Sequence, residues 1–243
     1  MLPWIARVAC LAFALFGSNL PAGADDLSDF NAAIEAASAH NRVAIGYLRT
    51  GNVDLASLEI DRLRDAWVRF TERFSGKRPA AFDGNTLYSI LFTGVSARLV
   101  GADLMLKTGR LDAAREGLNA IRNDLYDLRK GSGVVVLADC VRDANTVMDA
   151  LMAYNDRALN WDDSDTRTGI ASKASRYGAE LDRCDGIASE AVRKAPEFRR
   201  LVDGSKASLA LIPNAIATRD TNLLHRVLIE LRSFDYLLSF RFG

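Results

Sequence analysis

Residues 118–128 read LNAIRNDLYDL, and residues 228–238 read LIELRSFDYLL. Both segments place leucine or isoleucine at intervals of three or four residues, which is the spacing of an amphipathic α-helix. They share the pattern L-x-x-[IL]-R-x-x-x-Y-x-L, with Leu118 of the first segment corresponding to Leu228 of the second. The agreement indicates that the chain uses the same helical unit twice.

Two further matches occur in the same order along the chain. Residues 39–47 read AHNRVAIGY and residues 153–161 read AYNDRALNW, so that Asn41 corresponds to Asn155. Gly94 likewise corresponds to Gly204. The three matches have nearly the same offset and predict an internal duplication with halves at 25–131 and 132–243. Chance agreement between amphipathic helices is the alternative.

Helical spacing of apolar residues continues along almost the whole chain, and no long segment alternates between apolar and polar residues. We therefore predict an all-α fold. Turn-forming segments interrupt the pattern at regular intervals: TGN at 50–52, TGR at 108–110, WDDSDT at 161–166 and TRDTN at 218–222. With the interruptions between them, they predict eight helices arranged as four antiparallel helical hairpins. Short turns favour two tandem four-helix bundles, one in each half.

A second arrangement follows from residues 44–63, which read A-I-G-Y-x-x-x-G-x-x-x-x-A-x-x-x-I-x-x-L. This spacing of small and large residues resembles that of a tetratricopeptide hairpin. The resemblance implies a continuous stack of helical hairpins. The turns of this chain are spaced much more widely, however, than the family's repeat of about 34 residues. Two bundles remain the first prediction.

Residues 1–24 have the layout of a secretory signal peptide. Arg7 precedes the apolar segment 8–16, and Ala22-Gly23-Ala24 supplies a cleavage site of small residues. We expect a mature chain that begins at Asp25, is periplasmic or secreted, and does not span a membrane after the leader is removed. Cys10 raises the alternative of a lipid anchor, but a charged residue stands where such a signal has an apolar one.

The charge balance argues against nucleic acid as a partner. The chain has 31 basic and 31 acidic residues, and loss of the leader removes only Arg7. Nucleic-acid-binding proteins usually carry a basic excess or a basic stripe.

Outside the leader the chain has two cysteines, Cys140 and Cys184. In the third predicted hairpin they flank a turn near residue 163 at almost equal distances along the chain, which places them at similar heights on two antiparallel helices. In an oxidising compartment such a pair predicts a disulfide. Two free buried thiols are the alternative.

Three polar positions recur between the halves and are the strongest candidates for a site: Asn41 with Asn155, Arg122 with Arg232, and Tyr126 with Tyr236. Arginine and tyrosine one turn apart could line a ligand groove. The structural interpretation is that each half uses these residues to tie its first helix to its last.

The sequence gives little indication of a metal or haem site. His40 is a weak metal candidate, and so are Met148 and Met152, which lie four residues apart on one helix face. No CxxCH segment for covalent haem and no local catalytic signature occurs in the sequence. We therefore predict no cofactor and no enzymatic activity.

These observations favour an exported, non-catalytic helical protein that binds an envelope or periplasmic protein, or that scaffolds an envelope complex. The alternative is a small-ligand, haem or metal carrier built on a helical bundle. An enzyme is the third possibility and has no supporting motif.

Overall fold

A computed structural model describes residues 22–155 and 158–243. These residues form α-helices and one short 3-10 helix, without β-strands, which confirms the predicted all-α class. Residues 1–21, which include most of the predicted leader and Cys10, lie outside the described residues. The first four helices are α1 (Ala22–Arg49), α2 (Val53–Phe74), α3 (Thr86–Lys107) and α4 (Leu111–Gly131). They are followed by α5 (Leu137–Met152), α6 (Ser164–Ile187), α7 (Glu190–Lys194), α8 (Pro196–Leu209), α9 (Ile212–Thr218) and α10 (Thr221–Phe242).

Eight of these helices have 14 residues or more and form the four predicted hairpins, whereas α7 and α9 are short additions. Proline accounts for the extra breaks. Pro196 occupies the first position of α8, and Pro213 lies in the first turn of α9. Because proline lacks a backbone N–H, it is tolerated in a first helical turn but not in a helix interior.

Polar side chains cap α3 and the helices that follow three of the four predicted turns. The side chains of Asn52, Asn85, Asp163 and Asp220 accept hydrogen bonds from backbone N–H groups in the first turns of α2, α3, α6 and α10. Such caps satisfy donors that have no partner within the helix.

The helices close into two four-helix units rather than into a continuous stack. In the first half α1 packs against both α2 and α4, and α3 packs against α4 and α2. In the second half α5 packs against α6 and α10, and α10 also packs against α8. The first residues of α6, α8 and α10 follow those of α2, α3 and α4 at an almost constant offset along the chain. This register is what a duplication would produce, although the duplication itself stays a prediction.

The buried apolar residues form two clusters. One extends from Phe30 to Leu128 and the other from Cys140 to Leu238. The predicted disulfide is present in the second: Cys140 on α5 and Cys184 on α6 are bonded, with their Cα atoms 5.5 Å apart. A cross-link between these helices fixes the far end of the α5–α6 hairpin.

Helix α3 is the one described helix that is long and apolar enough to cross a membrane. One side of α3, which includes Tyr88, Leu91, Val95 and Leu99, is buried in the first cluster. Packing in the core therefore accounts for part of its apolar character.

Candidate functional site

A cleft of about 340 Å³ lies where the two halves meet. Helices α1 and α4 form one wall, and α5 and α10 form the other. We call it the interhalf cleft, and its charged and polar lining consists of Arg42, Arg49, Arg115, Asn119, Arg122, Asn145, Asp149, Arg232, Asp235, Tyr236 and Ser239. Gly46 lets α1 approach α10, because a Cβ atom there would lie 3.3 Å from the ring of Phe240.

The helical repeat explains why so many arginines share one cleft. Arg42 and Arg49 are seven residues apart on α1, and Arg115 and Arg122 are seven residues apart on α4. Seven residues span about two helical turns, so each pair lies on one face of its helix. Arg232 of α10 completes the set from the opposite wall.

Three of the five arginines have carboxylate partners. Arg42 donates to Glu35 at 2.6 Å and to the main-chain oxygen of Gly243 at 2.7 Å. Arg115 pairs with the exposed Asp112 at 2.9 Å. Arg232 pairs with both carboxylates of the wall, Asp149 at 2.6 Å and Asp235 at 3.2 Å.

Arg122 has no such partner among the described residues. Its Nη2 atom is buried and makes no hydrogen bond with the described part of the chain. Burial lowers the pKa of the guanidinium, and the positive charges of Arg42 and Arg142 lower it further, against the opposing effect of Asp139 and Asp235. A buried cation with positive neighbours is unfavourable unless an anion accompanies it. The site is therefore electrostatically prepared for a negative group.

Arg49 is the second cleft arginine without a carboxylate partner within the described ranges. It is exposed, and its guanidinium lies 4.7 Å from the centroid of the Tyr236 ring, which Arg232 also approaches, at 5.2 Å. Arginine over an aromatic face keeps its hydrogen-bond donors available in the plane of the guanidinium. The five arginines of the lining are accompanied by four carboxylates, Asp149 and Asp235 in the lining and Glu35 and Asp112 beside it, so the positive excess comes from the arginines without a carboxylate partner.

Asp235 is the most buried charged group of the wall, with 1% of its surface exposed. It accepts a hydrogen bond from Asn145 at 2.7 Å, and the Tyr177 hydroxyl lies 3.5 Å away. Burial raises the pKa of Asp235 to about 6, and the bonds from Asn145 and Arg232 oppose the rise. Burial also raises the pKa of Tyr177, and the nearby charge of Asp235 adds to that effect.

The structure brings together some of the residues singled out from the sequence. Arg122, Arg232 and Tyr236 line the interhalf cleft, whereas Tyr126 does not. The Tyr126 hydroxyl donates to Asp143 on α5 at 2.9 Å, and the guanidinium of Arg142 lies 3.8 Å from the centroid of its ring. Tyr126 therefore links α4 to α5 outside the cleft.

The recurring polar residues were expected to tie the first helix of each half to its last. Only some of them make such contacts. Asn41 is buried on α1 and donates to the Leu118 oxygen of α4 at 3.1 Å. Arg232 links α10 to α5 through Asp149. Asn155 lies in the turn after α5, because that helix ends at Met152. Arg122 makes no ion pair within the described residues, and its buried Nη2 atom has no hydrogen-bond partner there.

The weak metal candidates have other contacts. His40 Nδ1 lies 2.7 Å from Glu59 Oε2, which links α1 to α2. Met148 is fully buried in the second apolar cluster, and Met152 packs against that cluster. Within the described ranges, no group of three or more histidine, cysteine, aspartate or glutamate side chains could hold a metal ion.

A second concavity, of about 580 Å³, lies between α6, α8 and α9 in the second half. Its wall is mainly apolar, including Ala174, Leu209, Ile212 and Ile216, and Asp182 and Lys206 form an ion pair at its edge. We call it the apolar groove. Ala210, in the break between α8 and α9, is part of this lining.

Comparison of the chain with models of protein families, with curated proteins and with solved structures gave no match. The function must therefore be argued from the residues of the chain itself.

Sequence reasoning found Arg122 and Arg232 through their recurrence, but it missed Arg42, Arg49 and Arg115. The seven-residue spacing on α1 and again on α4 was the available signal. What the sequence could not supply was the rotation of one bundle against the other, which directs both arginine faces toward the same cleft.

Proposed function

We propose that the protein is an exported, non-catalytic binding protein of the cell envelope, and that the interhalf cleft binds a small organic anion or phosphate ester. The observation that carries the proposal is Arg122, a largely buried arginine that has no carboxylate partner among the described residues and whose Nη2 atom has no hydrogen-bond partner there. The predicted leader and the disulfide support export.

The chemistry of the cleft favours a small anion. Guanidinium groups form bidentate hydrogen bonds with carboxylate and phosphate groups, and they do so most strongly where water is excluded. Arg122 supplies the buried charge, and Arg49 supplies an exposed charge near the mouth of the cleft. A volume of about 340 Å³ lies within the range of small-molecule sites. Asn119 and Asn145 could orient polar groups of the ligand.

Ligand-induced stabilisation tests the proposal. A ligand that binds the folded state raises the melting temperature with its concentration. We expect phosphate, citrate or a phosphorylated sugar to raise the Tm of the wild-type protein and to have little effect on Arg122→Gln. Calorimetry at two salt concentrations would measure the affinity, which should fall at higher ionic strength.

Arg226→Gln is the matched control, because Arg226 is exposed on α10 and has no ion pair within the described part of the chain. It should respond to the anions as wild type does. Equal responses from all three proteins would refute a specific site in the cleft.

A second candidate function, binding of a protein partner, is favoured by the apolar groove. An amphipathic segment of an envelope protein could place its apolar side against Leu209, Ile212 and Ile216. Affinity capture from the envelope with wild type and with Ile216→Asp would test this. Loss of a captured protein with Ile216→Asp but not with Arg122→Gln would support it, and identical capture by both variants would count against it.

Export itself is tested by the intact mass of the protein recovered from the periplasm. A chain that begins at Asp25 without added lipid is expected. A retained leader or a lipid mass would contradict the predicted signal peptide.

A further inference from the structure

The outward side of α3 carries a row of apolar residues that the described chain leaves exposed. Ile90, Val100 and Leu104 expose 59%, 65% and 53% of their surfaces. With the exposed Thr93 and Ala97 they form the α3 stripe, whose members are separated by three, four, three and four residues. That spacing keeps all five on one helix face over about 21 Å.

The stripe is open enough for another helix to approach its backbone. A Cβ atom added at Gly94 or at Gly101 would have no atom within 4 Å. Glycine and alanine between larger apolar residues allow two helices to pack at short interaxial distance. The face therefore fits a helix better than it fits a flat protein surface.

The stripe members, taken together with the adjacent Gly94 and Gly101, lie at symmetric positions about Ala97. Ile90 and Leu104 each lie seven residues from it, and Thr93 and Gly101 each lie four residues from it. Two copies of α3 that cross antiparallel with Ala97 on a two-fold axis would therefore bring Ile90 of each copy against Leu104 of the other. Self-complementarity of this kind is what a two-fold symmetric interface requires.

Charges at the two ends of the stripe complement each other under the same symmetry. Leu87 and Lys107 each lie ten residues from Ala97. Asp127 of α4 lines a surface hollow together with Leu87 and Ile90, and it has no ion pair in the described part of the chain. Lys107 is 70% exposed, and within the described ranges its ion pair is with Asp103 of its own helix. In the antiparallel pair, Lys107 of one copy lies near Asp127 of the second.

We infer that the protein self-associates as a two-fold symmetric dimer through antiparallel contact of the α3 stripe. A second copy of the chain is the partner, because the apolar spacing and the end charges are complementary to themselves. One helix face buries less than the roughly 1,200 Å² of a standard interface, so the dimer should be weak and concentration-dependent. The inference goes beyond the proposed ligand binding and does not depend on the interhalf cleft.

Cysteine cross-linking locates the axis. Ala97→Cys places one thiol from each copy at the two-fold axis, and Thr146→Cys places an exposed thiol on α5 of the other half as a control. The native Cys140 and Cys184 are already bonded to each other. Mild oxidation of the exported protein should give a covalent dimer of Ala97→Cys and little of Thr146→Cys. Equal cross-linking of the two variants would overturn the inference.

Charge reversal tests the antiparallel orientation. Lys107→Glu should weaken the dimer by at least about tenfold in sedimentation equilibrium, because it places like charges together across the interface. The double variant Lys107→Glu with Asp127→Lys should restore wild-type association. Failure of the double variant to recover would rule out this pairing.

Ala97→Glu provides the direct disruption, since an exposed position tolerates the change without unfolding. It should leave the protein monomeric with an unchanged circular dichroism spectrum. A wild-type protein that stays monomeric at millimolar concentration overturns the inference. A monomer that binds lipid vesicles through the same stripe would assign the face to a membrane instead.

Discussion

The two halves have the same helical order but stabilise it by different means. The first half closes around aromatic rings: Phe30 contacts Phe70, Phe74 and Phe82 with centroids 4.8 to 5.4 Å apart. The second half has a disulfide between α5 and α6 and a buried carboxylate, Asp235, between α5, α6 and α10. The second half also carries the apolar groove between α6, α8 and α9.

The two halves also differ in the contacts of two arginines that correspond in the repeat, Arg122 and Arg232. Arg122 and Arg232 occupy the same place in the shared pattern, yet Arg232 holds two carboxylates and Arg122 holds none among the described residues. In the register of the repeat Asp235 corresponds to Leu125, and Asp149 corresponds to Glu35, which pairs with Arg42 and not with Arg122. Equivalent positions in a repeat can therefore diverge into a structural residue and a binding residue.

The largest expected effect comes from the disulfide, which only the second half has among the described residues. Replacing Cys140 and Cys184 by serine should lower the free energy of unfolding by about 4 kcal/mol, as expected for a loop of 44 residues. Hydrogen exchange should report the loss in α5 and α6 and much less in α1 to α4. Equal loss of protection in both halves would show that they unfold as one unit.

The next effect tests the divergence of the two arginines. Arg232→Ala should cost about 3 kcal/mol, because it leaves the buried Asp235 without its cation. Arg122→Ala should leave stability unchanged or slightly improved, since the arginine has no carboxylate partner to lose within the described ranges. Urea unfolding of both variants measures the contrast. Similar destabilisation by both would mean that Arg122 has a structural role and would weaken the proposed anion site.

The helices and the disulfide could be predicted from the sequence because they depend on local spacing. The bond between Cys140 and Cys184 could be predicted from the hairpin register alone. The turns at Asn52 and Asp163 could be predicted from their capping residues alone. The cleft could not be predicted, because it depends on how α1 and α4 face α5 and α10. No local pattern encodes that rotation. The match of Asn155 with Asn41 also failed to predict a shared position, because α5 ends before Asn155 whereas α1 continues past Asn41.

A smaller effect should appear as a pH dependence specific to the second half. The pKa of Asp235 is raised to about 6 by burial, above its value of 3.8 in the unfolded chain. Protonation therefore favours the folded state, and this contribution is full below the unfolded pKa and is lost as the pH rises through 6. Lowering the pH from 7 to 5 should stabilise wild type relative to Asp235→Asn by about 1 to 2 kcal/mol. A constant difference between the two proteins over this range would contradict the raised pKa.

The smallest predicted effect compares the two equivalent glycines, Gly94 on α3 and Gly204 on α8. A Cβ atom at Gly204 would lie 2.7 Å from the ring of Phe234, whereas a Cβ atom at Gly94 would meet nothing within 4 Å. Alanine is favoured over glycine inside a helix by up to about 1 kcal/mol, so Gly94→Ala should be neutral or stabilising. At Gly204 the cost of overpacking, about 1 to 3 kcal/mol, exceeds that gain, so Gly204→Ala should lose about 1 kcal/mol. Thermal unfolding of the two variants decides the matter. If Gly204→Ala is as stable as Gly94→Ala, then α8 and α10 separate easily, and the second half is looser at this helix pair than its static packing indicates.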